Sequence, residues 1–236
     1  SRPDGMSPVD PLAAIRETFF QECEEQLAEL ESGLLAMEEG DDDPETIMHW
    51  RERPTGQHME LAIAETNLVG LIGELGATWS RWGQPLFPIG VVYDPFVERA
   101  LEPWSYGIYA GGQSILVGTP SGVSLAAEGG AHQSIKTPSI GLEQPGCISY
   151  EPAFAIDVEW TLLSCIGRLG RPDGSSSYVR LSTRPVDQTL AAVPSDPAAR
   201  ERRRKQVVAG AYLLRRAGGA PQVTLVAMGA MITESL

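Results

Sequence analysis

From residue 57 onward the chain alternates short apolar runs of β-type residues with longer stretches of helical spacing, and that alternation leaves little freedom of fold. The candidate strands are residues 58–63, 87–92, 114–119, 147–150, 178–182 and 223–228. Between them, apolar residues recur at helical spacing over 65–79, 96–107, 153–169 and 199–217. Short apolar strands alternating with helices predict a doubly wound parallel sheet of the α/β class. Such sheets bind ligands beyond the carboxyl ends of their strands. The positions to search are therefore those that follow the candidate strands: Glu65, 93–96, 120–134 and Glu151-Pro152. With 236 residues there is enough chain for one sizeable domain of this kind plus further elements.

The net charge of −13 is unevenly placed. Residues 10–45 hold 13 acidic side chains and a single basic one, Arg16, whereas residues 46–236 hold 17 acidic and 16 basic. An acidic segment thus precedes a nearly neutral body, and the shift marks a boundary. Neither part carries the clustered positive charge that nucleic-acid binding needs. No apolar run approaches the ~20 residues of a membrane-spanning helix, and the opening SRPDGMSPVD lacks the basic-then-apolar order of a secretory signal. Cys23, Cys147 and Cys165 are odd in number and widely spaced. That pattern argues against a disulfide framework or a zinc site, and the expected compartment is a reducing cytoplasm.

Within the acidic segment Leu12, Ile15, Phe19, Cys23, Leu27, Leu30, Leu34 and Met37 recur at spacings of three and four. They form the stripe of an amphipathic helix that starts near Asp10-Pro11 and stops near Gly40. The wording DPLAAIRETFFQECEEQLAELESGLLAMEEGDDDPETI resembles the first helix and loop of the histidine-phosphotransfer domain of chemotaxis histidine kinases. In that family the phospho-accepting histidine lies on the next helix, in a stretch like H-S-I-K-G-G. Here Ile47 is followed instead by MHWRERPTGQHMEL, and His49 and His58 stand in a different context. The expectation is an acidic helix that docks on the body or on another chain, with a join between unrelated reading frames near residue 47 as the other reading.

Four consecutive stretches of the body, about four-fifths of the chain, carry a second resemblance. RPTGQHMELAIAETNLVGLIGELG, FPIGVVYDPFVERAL, GTPSGVSLAAEGGAHQSIKTPSIGLEQPGCISYEPAFAIDVEW and RERRRKQVVAGAYLLRRAGGAPQVTLVAMGAMITESL together resemble the pyrimidine-binding domain of transketolases and homodimeric pyruvate dehydrogenases. By that resemblance Glu65 is the acid that hydrogen-bonds the aminopyrimidine of thiamine diphosphate. Tyr93 and Phe96 fall at the two aromatic positions that hold this ring, and His132 matches a histidine that faces the substrate. Arg99 stands where transketolases tend to carry another aromatic. Taken alone, Glu65 reads as a helix-start acid, Tyr93 and Phe96 as core aromatics, and His132 as a loop residue beside Gly129 and Gly130. PGCISYEPAFAIDVEW is closer to pyruvate dehydrogenase wording than to transketolase wording, so the implied parent activity is that of a decarboxylating 2-oxoacid dehydrogenase component, with transketolase-type ketol transfer as the alternative.

The same family completes each site with a second module, which holds the diphosphate and a magnesium ion through a G-D-G motif. No G-D-G occurs in this sequence. The resemblance therefore implies no metal ligands in this chain, and magnesium only with a partner module. It also implies a homo-oligomer or complementing subunit and silence as an isolated chain, while charge and hydropathy point to no nucleic-acid or membrane partner. The expected organisation is a disordered start over 1–9, the acidic helix and loop over 10–47, the pyrimidine-binding domain over 50–195, and a linker helix with the first strand of a truncated further domain over 196–236.

Overall fold

The computed structural model describes residues 58–121 and 134–236. The sequence expectations for 1–9 and 10–47, and for Gly129, Gly130 and His132, fall outside these residues. Among the described residues no helix is long and apolar enough to cross a membrane.

A four-stranded sheet organises the unit that runs from Ile63 to Leu236. Its strands are β1 (Ile89–Val92), β2 (Ile115–Gly118), β3 (Cys147–Tyr150) and β4 (Ser176–Arg180), ordered β1-β2-β4-β3. All neighbours are parallel, with Leu116 opposite Gly90 on one side and Tyr178 on the other. The central strands β2 and β4 are buried along their whole length, as a parallel sheet covered on both faces requires. The doubly wound α/β class read from the sequence is what the structure shows.

Strand alternation sends side chains to two cores. On one face Leu116 and Tyr178 pack with Val69 and Ile72 of α1 (Glu65–Gly76), Trp104 of α3 (Leu101–Tyr109) and Ile140 of α4 (Thr137–Glu143). On the other, Ile115, Val117 and Val179 meet Cys165 of α5 (Ala155–Ile166) and Leu169. A short α2 (Thr78–Arg81) follows α1, α6 (Pro197–Val208) packs against α5, and α7 (Ile232–Ser235) is the last element. Two glycines set close approaches. A Cβ on Gly76 would lie 2.3 Å from the carbonyl oxygen of Gln113, so the end of α1 can abut the entry to β2 only without a side chain. Gly73 likewise lets α1 lie against Gly107 of α3.

Several expectations are corrected. Residues 58–63 form no strand: Ala62 sits in the left-handed region at φ 52°, which breaks the extended run. Residues 223–228 form none either, and Val223, Leu225 and Val226 are exposed. A strand needs a neighbour for its backbone groups, and among the described residues none lies beside this segment. The helix expected over 199–217 ends at Val208, because Gly210 turns the chain at φ 102°. Asp196 caps its start, accepting from the Ala199 amide at 2.7 Å. Helix α4 lies outside the helical stretches expected from the sequence, although its Thr137-Pro138 start is a helix signal.

Burial pushes the Cys147 thiol up to about 12, with the nearby Cys165 adding to the shift. Cys165 is fully buried and raised by burial as well. Thiolate is the reactive form, so both residues should resist a thiol reagent in the native chain at mildly alkaline pH and label promptly in denaturant. Peptide mapping after timed labelling checks this; prompt native labelling of Cys147, the half-buried member, would contradict its raised pKa.

Candidate functional site

At the carboxyl edge of the sheet, β1 runs through Tyr93 into a 3₁₀ helix, Asp94–Ala100. Seven residues is long for this helix type, whose side chains at i and i+3 eclipse one another. Tyr93, Phe96 and Arg99 have that spacing and form a column. The Tyr93 and Phe96 rings stack with centroids 5.6 Å apart and planes 29° apart. The Arg99 guanidinium lies over the Phe96 ring, 4.1 Å from its centre. Arg99 Nη1 also stands 3.7 Å from Oε1 of Glu65, the first residue of α1. The Glu65 side chain is 14% exposed and that of Arg99 59%, so the acid is recessed and the cation is the open member. Glu65, Tyr93 and Phe96, singled out separately in the sequence, thus meet in one cluster, and Arg99 joins them.

The column is anchored from below by a buried polar network. Asp94, between Tyr93 and Pro95, is fully buried. Its carboxylate accepts from Thr137 Oγ1 at 2.6 Å and from Tyr178 Oη at 2.5 Å. Arg180, at the end of β4, donates to both Asp94 oxygens at 3.2 Å and to Glu151, which follows β3. Burial and then the Asp94 charge push the Tyr178 phenol up, so it stays a donor. Burial likewise raises Glu151, against the lowering pull of Arg180. A Cβ at Gly118, the last residue of β2, would come within 2.4 Å of Asp94 Oδ1. The network therefore ties together the ends of β1, β3 and β4 and the start of α4, with Gly118 at the end of β2 packed against it.

Ser121 and Thr137 both stand at this edge: the Ser121 amide donates to the Leu181 carbonyl at 2.9 Å, and Thr137 holds Asp94. The sequence placed Asp94 within the stretch to search without a role for it, and pointed to neither Tyr178 nor Arg180 as a site residue. One signal for Arg180 was there, the single charged residue in the expected strand 178–182.

A flat nitrogen heterocycle needs an aromatic face to stack on and an acid to meet its nitrogen edge. Phe96 and Glu65 supply both, and the planar guanidinium that bridges them shows that the two can serve one flat group at once. The residues present fit an aminopyrimidine. Among the described residues no group of His, Cys, Asp or Glu could hold a metal ion.

No family model matches the chain. At its N-terminus 33 residues are 76% identical to the chemotaxis protein CheA of Rhizobium meliloti (strain 1021), over 14% of this chain and 4% of that protein. A stretch of 159 residues, 66% of the chain, is 23% identical to the pyruvate dehydrogenase E1 component of Mycobacterium tuberculosis, of which it spans 17%. Over 230 residues, 94% of the chain, there is 24% identity to the 6-deoxy-6-sulfo-D-fructose transketolase subunit SqwH of Clostridium sp. (strain MSTE9), of which 62% is covered. A solved transketolase from Campylobacter jejuni overlaps 58% of this chain and 20% of its own at a TM-score of 0.47 and 16% identity. The chain thus spans about a sixth of the E1 component and about three-fifths of the transketolase subunit. Its homologues are pyruvate dehydrogenase E1 and transketolase-like proteins, with a short CheA-like segment at the N-terminus.

Proposed function

We propose that this chain supplies the aminopyrimidine side of a thiamine-diphosphate site in a decarboxylating 2-oxoacid dehydrogenase component, completed by a separate diphosphate-binding module. The observation that carries the reading is the convergence of Glu65 with the Tyr93–Phe96 stack at the carboxyl edge of a parallel sheet. Thiamine diphosphate, when bound, supplies the carbanion and electron sink that decarboxylation needs. Phe96 and Tyr93 would hold the flat ring and keep water from its face. Glu65 would share a proton with the ring nitrogen. Its place in the first turn of α1 sets the acid against the positive end of the helix dipole. In this reading His132 serves as a proton donor to the substrate oxygen, and the diphosphate and its magnesium belong to the complementing module.

The test supplies the diphosphate-binding module of a pyruvate dehydrogenase E1 component in trans and follows pyruvate-dependent reduction of an artificial electron acceptor. Turnover should appear only in the mixture, and Glu65→Gln should lower it by about 10²–10⁴-fold, the usual reach of a positioned acid–base group. Turnover retained in Glu65→Gln would sink the assignment. The long alignment with a transketolase subunit favours ketol transfer as a second reading. Sugar phosphates offered in place of pyruvate separate the two. The CheA-like segment supports a docking role for residues 10–47, and phosphorylation of a histidine by a cognate kinase would turn that role into phosphotransfer.

A further inference from the structure

Arg99 has no part in that reading, yet its guanidinium makes both contacts the reading gives to the cofactor ring. It lies over the Phe96 ring, 4.1 Å from its centre, and faces Glu65 Oε1 at 3.7 Å. A guanidinium is a planar N–C–N group with donors along its edge. The edge of a 4-aminopyrimidine has the same character: a plane to stack, with nitrogens to meet a carboxylate. A ring stacked on Phe96 with its nitrogen edge at Glu65 would need the volume that the guanidinium now fills. We infer that Arg99 is a place-holder for the heterocycle, occupying the Phe96–Glu65 seat until the aminopyrimidine displaces it, and that it thereby sets the affinity of the site.

The exchange is physically easy. The Arg99 side chain is 59% exposed and has a flexible stem, so it can swing into water with its charge solvated. An exposed cation–π contact and a half-exposed ion pair are both weak. Their combined loss is a toll of about tenfold on affinity, which a ring with a larger face can offset.

This inference rests on the proposed role of Glu65, and the experiment keeps the two apart. Thiamine, which lacks the diphosphate, is titrated into the full chain and followed by saturation-transfer NMR. Arg99→Ala should bind about tenfold more tightly than the wild type. Arg99→Lys, which keeps the charge but cannot lie flat, should fall between them. A residue that merely supported the site would weaken binding when removed, so a gain is the decisive sign. Equal or weaker binding in Arg99→Ala, or no saturable binding in that variant, overturns the inference. Adding Glu65→Gln to Arg99→Ala tests the underlying reading: binding should collapse, and if it does not, the role of Glu65 fails and the gain in Arg99→Ala reports displacement of the guanidinium from the Phe96 face alone.

Discussion

Asp94→Ala is expected to lose about 3–5 kcal/mol of folding stability, the cost of breaking a buried ion pair from one side. The substitution removes the only carboxylate in contact with Tyr178 Oη and Thr137 Oγ1 among the described residues, and it takes two acceptors from a guanidinium whose residue is 3% exposed. Arg180 keeps Glu151, so its charge is not wholly orphaned. Among the described residues Thr137 Oγ1 has no other side-chain acceptor, and beside Tyr178 Oη stands otherwise only the Arg180 guanidinium, itself a donor; a buried donor left unmade costs about 1–3 kcal/mol. Domains of ordinary stability have about 5–15 kcal/mol in all, so the variant should unfold at a much lower urea concentration. Asp94→Asn keeps the shape and one carbonyl acceptor and should lose clearly less. Urea titration followed by circular dichroism checks both, and an Asp94→Ala loss below about 1 kcal/mol would remove the network from its anchoring role. Because Asp94 is flanked by Tyr93 and Pro95, the same variant should also loosen the aromatic column above it.

Trp104→Ala should cost about 3–5 kcal/mol, as expected for a large aromatic removed from a packed core. Trp104 is 1% exposed and meets Tyr178 edge-on with ring centroids 5.8 Å apart, at the centre of the face that joins α1, α3 and the sheet. Its indole N–H is buried and finds no acceptor among the described residues. Trp104→Phe therefore removes an unsatisfied donor along with some volume, and its loss should be about half that of Ala or less. Unfolding is again best followed by circular dichroism, since the substitution changes the fluorescence itself. Equal losses for Phe and Ala would mean that the indole N–H is satisfied in solution.

Some of this was legible in the sequence because it depends on local order. The run 147–150 is a strand to the residue, and β1, β2 and β4 lie within about two residues of their expected positions. Parallel strands buried on both faces read as continuous apolar runs, and this signal survives without knowledge of the neighbours. Asp196-Pro197 could be read as a cap because capping is a contact between residues three apart. The segments 58–63 and 223–228 have the same apolar character and are not strands, since pairing requires a second strand that no local pattern supplies.

The site divides in the same way. Sequence determined that an acid would open a helix at Glu65 and that two aromatics would follow the next strand three residues apart. It gave no warning that residues 94–100 would wind as a 3₁₀ helix, which eclipses Arg99 with Phe96 and stacks a cation in the column. Nor could it join Asp94 to Tyr178 and Arg180, 84 and 86 residues away. Those contacts exist because β1, β2 and β4 lie side by side in register, so that their carboxyl ends bring distant polar side chains to one edge, where burial compels them to pair. Chain order decided the class of fold and where to look; the parallel register decided which charges meet there, because the pairing of buried charges is settled by distance in space.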